Sequence, residues 1–138
     1  MGKLMFNGID YTGGASNDGH TYSTDEQVVG TWVDGSPVYE RTVVAIGDMT
    51  QNAWTAIVDA SSWNIGTVVS FSGSYMRYWS GSPPGYSRAC LPYYEASNIR
   101  CSVRFNSQDL LQYYMLDGTS ANKGKDIVII VRYTKTSV

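Results

Sequence analysis

Tyr75, Tyr78, Trp79, Tyr86, Tyr93 and Tyr94 crowd into one short stretch of the chain. In all, 11 Tyr, 4 Trp and 3 Phe occur among 138 residues. Tyr and Trp join a broad apolar ring to a polar handle, so they give large contact area at low entropic cost. Sugar rings stack on such faces, and neutral Ser, Asn and Gln bond their hydroxyls. The Ser80–Ser87 loop carries Tyr86, with Tyr78 and Trp79 before it and Arg88 after it. With Tyr94, these are the candidate ligand-binding residues: Tyr78, Trp79, Tyr86, Arg88 and Tyr94. Tyr75, Tyr93 and Tyr113 are assigned to packing. Trp32, Trp54 and Trp63 lie in or beside regular apolar patterns, which assigns them to the core or a subunit contact.

Reactive chemistry is sparse. His20 is the single histidine, and it falls in a Gly-rich stretch expected to be a linker. A flexible segment cannot hold a catalytic base in place, so no Ser-His-Asp or Cys-His site is expected. No nucleophile elbow, phosphate-binding glycine loop or zinc spacing occurs. Glu95, Asp109 and Asp117 lie in or beside expected loops, where a carboxylate pair for glycoside cleavage would have to form. Asp117 precedes a glycine, however, which is turn chemistry. The chain is expected to be no enzyme and to need no cofactor or metal. Arg77, Arg88, Arg100 and Arg104 suggest a basic strip, but the formal net charge of −2 argues against nucleic acid as the partner. Cys90 and Cys101 are expected to be free core thiols, with a bridge across adjacent strands as the alternative.

These residues must be held by strands. Composition favours β-branched and aromatic types over helix formers. Val28 to Val33 and Val38 to Ile46 flank Asp34-Gly35-Ser36-Pro37, which predicts a β-hairpin. Trp54 to Val58 is a further strand, followed by a loop or single helical turn over 59–66. Thr67 to Trp79 has strand chemistry, with a turn or bulge expected at Gly73. Ser80 to Gly85 is a break. Ile99, Cys101, Val103 and Phe105 alternate with Arg100, Ser102 and Arg104. Leu111, Tyr113 and Met115 alternate with Gln112, Tyr114 and Leu116 ahead of the turn Asp117-Gly118. Ile127, Ile129, Val131 and Tyr133 alternate with Val128, Ile130 and Arg132, apolar on both faces as in a central strand. The expected fold is all-β: an antiparallel, jelly-roll-like β-sandwich of about seven to nine strands. Residues 1–26 form a leader and flexible linker, and 27–138 the sandwich domain. No apolar run is long enough to cross a membrane. No export signal is expected at the N-terminus, which points to synthesis in a reducing cytosol; the resemblance described next would make that a bacterial cytoplasm.

The run Tyr22-Ser23-Thr24-Asp25-Glu26-Gln27-Val28-Val29-Gly30-Thr31-Trp32-Val33-Asp34-Gly35-Ser36-Pro37-Val38-Tyr39-Glu40-Arg41-Thr42 resembles the opening of the C-terminal domain of distal tail proteins of phages and prophages, chiefly of Firmicutes and other gut bacteria. The closing strand Ile129-Ile130-Val131-Arg132-Tyr133-Thr134-Lys135-Thr136, with its Tyr-Thr-Lys-Thr ending, is similar to the close of those domains, and Met5-Phe6-Asn7-Gly8-Ile9-Asp10-Tyr11 to their short leader. The likeness covers about residues 22–138, with a variable middle over 47–126. It implies a virion protein of the tail fibre or baseplate tip, a β-sandwich and a homotrimer. Such a module would bind a host cell-surface glycan or protein and contact other tail proteins. A purely structural baseplate connector and a bacterial carbohydrate-binding module are the alternatives. The motif itself reads as a hairpin with a fixed turn, which is architectural. Variable loops on a constant frame suit recognition, and three weak sites would gain avidity.

Overall fold

Ile127, Ile129, Val131 and Tyr133 are spaced by two, and all four are buried. They lie on β11 (Asn122–Lys135), which pairs with β4 (Pro37–Asp48) on one side and β6 (Ile65–Trp79) on the other. The computed structural model describes residues 5–6, 9–10, 19–79, 85–95, 98–116 and 122–136. A short β1 (Met5–Phe6) pairs with β2 (Ile9–Asp10). The five-stranded sheet runs β3 (Gln27–Thr31), β4, β11, β6 and β7 (Gly85–Cys90). The four-stranded sheet runs β5 (Thr55–Asp59), β10 (Leu110–Met115), β9 (Asn98–Phe105) and β8 (Tyr93–Glu95). All pairings are antiparallel. The chain changes sheet between β4 and β5, β5 and β6, β7 and β8, and β10 and β11. This is the all-β sandwich that composition and alternation predict.

The core lies between the sheets. Tyr75, Leu111, Tyr113, Met115, Cys101 and Trp63 meet the inward face of β11 there. Each large apolar side chain removed from water contributes about 1.5–3 kcal/mol of transfer free energy. Trp63 ends a single 3-10 turn at Ser61–Trp63, the helical turn expected over 59–66, and stacks on Tyr133 with centroids 5.6 Å apart. Tyr75 and Tyr113 are buried and Tyr93 packs against the core, as their pattern predicts.

Two expectations, those for Gly73 and Cys90, are corrected, and two of the tryptophans lie outside the core. Gly73 does not interrupt a strand: β6 runs through it, because a Cβ there would lie 2.1 Å from the Val128 carbonyl oxygen. The bare Cα lets β11 approach. Trp32 is only partly buried and sits in the hairpin turn, where its N–H donates to the Ser36 carbonyl (2.8 Å). Trp54 is also outside the core, on the outer face of the four-stranded sheet. Cys101 is a core thiol, but Cys90 is exposed, and they stand on strands of different sheets. The hairpin turn itself is as expected. Gly35 takes φ +90°, a conformation open to a residue without Cβ, and Asp34 accepts the Ser36 N–H (2.9 Å). The Asp117-Gly118 turn and linker residues 12–18 lie outside the described residues.

The two ends of the resembling motif converge in space. Tyr39 faces Tyr133 and Glu40 faces Arg132 across β4 and β11. Tyr133 donates its hydroxyl hydrogen to Glu26 and accepts from Arg41 Nε (3.1 Å). Lys135 Nζ lies 2.6 Å from Glu26 and 4.6 Å over the Tyr39 ring. Arg41 stacks 4.7 Å over Trp63. One cluster of charges and rings thus ties the opening hairpin to the closing strand.

Candidate functional site

Three of the five candidate residues share one face. In the β6–β7 hairpin, Tyr78 pairs with Tyr86 and Met76 with Arg88. Period two sends the Tyr78, Tyr86 and Arg88 side chains to the outer face of the five-stranded sheet. The Tyr78 and Tyr86 rings lie 5.0 Å apart, tilted by 46°. Tyr86 is 59% exposed. Asp48 at the end of β4 and Lys125 on β11 are register partners. With the two tyrosines they line an open hollow of about 280 Å³. The hollow offers an aromatic wall, an acceptor and a donor, the set that holds a polyhydroxylated ring.

The other two candidates are placed differently. Trp79 lies in β6 opposite Gly85; its side chain, and Ser80 to Pro84 of the loop, lie outside the described residues. Tyr94 is exposed, but it stands on β8 of the four-stranded sheet and does not line the hollow. The expected basic strip is dispersed. Arg77 lies 4.7 Å over the Tyr93 ring, which packs on the core, Arg88 is on the five-stranded sheet, and Arg100 and Arg104 are on β9.

A second aromatic surface went unrecognised in the sequence. On the outer face of the four-stranded sheet, Trp54 and Tyr114 approach to 5.4 Å, and with Ser102 and Leu116 they line a shallow depression. The Arg104 guanidinium stacks 3.9 Å over Trp54, and its Nε donates to Gln112 (3.0 Å). Alternation in β10 does put Tyr114 on the polar face. The pairing of β5 with β10, which brings Trp54 beside it, is not written in local sequence.

His20 is also better held than a linker residue would be. Its Nε2–H donates to Glu40 Oε1 (2.6 Å), and its ring meets Tyr22 edge-on at 4.6 Å. Glu40 is fully buried and accepts in addition from Arg132 Nε (2.9 Å) and Gln27 (3.3 Å). Burial raises the Glu40 carboxyl, but the bonds from His20, Arg132 and Gln27 outweigh it and hold it below the usual range. The imidazole and carboxylate anchor residues 19–26 to β4. Among the described residues, no group of three or more His, Cys, Asp or Glu is placed to hold a metal ion. Comparison with protein-family models, with curated proteins and with solved structures finds no match to this chain.

Proposed function

We propose that the chain is a non-enzymatic bacteriophage virion protein, a tail-fibre or baseplate-tip module that binds a host cell-surface glycan. The observation that carries this reading is the Tyr78–Tyr86 pair, half-buried Tyr78 against exposed Tyr86, beside Asp48 and Lys125 on the β6–β7 hairpin. Rings presented by strands lose little entropy when a sugar stacks on them. The motif at 22–42 and the Tyr-Thr-Lys-Thr ending support placement in the tail. Val44 and Ile46, with Ile46 85% exposed, form an apolar row on the outer sheet face. That row suits contact with another copy in a homotrimer or with a neighbouring tail protein.

The test is binding of purified protein to host cells and to a glycan array. Tyr86→Ala and the double variant Tyr78→Ala/Tyr86→Ala should lose binding while melting like the parent. If both variants bind host cells as the parent does, the site assignment is wrong. Absence of binding by the parent, with capture of another tail protein, would favour the connector reading instead.

A further inference from the structure

The four-stranded sheet carries a separate recognition surface that the Tyr78–Tyr86 site does not use. Its outer face presents Trp54 and Tyr114 around the shallow depression floored by Ser102 and edged by Leu116. Leu116 is exposed and Trp54 and Tyr114 are half-buried. The rings are therefore fixed by packing yet reachable.

Two arginines of β9 lie on this face, although the chain is net negative. Period two puts Arg100, Ser102 and Arg104 on the same side of β9, opposite buried Cys101. Among the described residues, no carboxylate lines the depression. Asp59, at the far end of β5, has its carboxylate engaged by the Ser61 amide (2.9 Å). Arg104 is held in a defined pose: the Trp54 ring supports its plane at 3.9 Å and Gln112 takes its Nε. The Nη groups remain as donors at the rim. A guanidinium positioned beside an open aromatic surface matches a planar carboxylate bidentately, and the neighbouring ring takes the C–H face of the sugar that bears it.

We propose that this depression binds an acidic pyranose, a uronic-acid-type residue of an anionic polysaccharide. Arg104 receives the carboxylate, and Tyr114 and Trp54 receive the ring.

The test is titration of the full chain with tri-galacturonate, followed by the indole N–H resonances, with the Trp54 signal assigned from Trp54→Phe. The expected result is a saturable shift of the Trp54 resonance. The methyl ester of the same trisaccharide keeps the ring and loses the charge, and it should bind about tenfold more weakly or worse. Arg104→Gln should bring tri-galacturonate down to the affinity of the ester, and Arg104→Lys should fall between. Amide spectra and melts of both variants establish that the fold is kept. Tyr86→Ala should leave the titration unchanged, which separates this site from the one proposed above. Lack of a saturable Trp54 shift would overturn the proposal, as would equal binding of acid and ester. Equal binding of glycerol phosphate would show an anion site without sugar recognition and would overturn it too.

Discussion

Glu26, just before β3, accepts the hydroxyl hydrogen of Tyr133 from the last strand, 107 positions further along. Arg41 Nε donates to the same hydroxyl at 3.1 Å and Lys135 reaches the same carboxylate at 2.6 Å. Burial and the bond to Glu26 push the Tyr133 phenol up to about 12, with Arg41 pulling the other way. Tyr133→Phe leaves the ring stack intact and strips a hydrogen-bond partner from both Glu26 and Arg41. It should cost about 1–2 kcal/mol in a denaturant melt.

Acid should destabilise the fold through Glu26 and Glu40. Burial raises the Glu26 carboxyl, while the bonds from Lys135 and Tyr133 and the charges of Lys135 and Arg41 lower it further than burial raises it. Glu40 behaves alike, as described above. A carboxyl depressed in the folded state stabilises the protein above its unfolded value of 4.5. That contribution is lost as pH falls through the lower folded value. Stability measured from pH 7 downward should therefore decline below about 4.5. Glu26→Gln and Glu40→Gln should each flatten the decline while lowering stability at pH 7.

The tryptophans should separate by burial. Trp63→Ala removes a core ring that touches Tyr133, Phe105 and Arg41. It should cost about 3–5 kcal/mol. Trp32→Ala, in a half-exposed turn, should cost about 1 kcal/mol or less. Urea melts of the two variants compare them directly.

Gly73→Ala is a small change with a large expected effect. Its methyl would meet backbone, the Val128 carbonyl oxygen at 2.1 Å. Strands β6 and β11 would have to separate at the centre of the larger sheet. The variant should be recovered insoluble, or melt with a loss of about 3 kcal/mol or more. Ala at Gly30, where a Cβ meets nothing within 4 Å, is the control and should be tolerated.

Thiol labelling should proceed in two steps. Exposed Cys90 should react with a disulfide reagent in the native protein, and buried Cys101 only after unfolding. Two thiols reacting at once under native conditions would contradict the burial of Cys101.

The strands were legible wherever one face differs from the other. Ile127, Ile129, Val131 and Tyr133 fall on the core face as their spacing requires, and so do Leu111, Tyr113 and Met115. The Asp34-Gly35 turn was legible because only a few residue types take its backbone shape. Gly73 was misread because local sequence does not distinguish a break from a close approach by a partner strand 55 residues later. That Trp32 and Trp54 lie outside the core was not legible for a related reason. Apolar character says that a ring wants cover, and only the sheet pairing says whether cover exists. Of the candidate site, the meeting of Tyr78 and Tyr86 followed from the hairpin. Asp48 and Lys125 came from strands that no spacing rule links to it.

The strand at the centre of the larger sheet follows every other strand of that sheet in chain order. Until residues 122–135 have left the ribosome, β4 and β6 have no strand between them, and their inward faces and backbone edges stay unpaired. The sheet therefore cannot close progressively during translation; it closes in one late, long-range step. A chain truncated before Asn122 would leave the edges of β4 and β6 that face β11 unpaired and the core without Ile127, Ile129, Val131 and Tyr133.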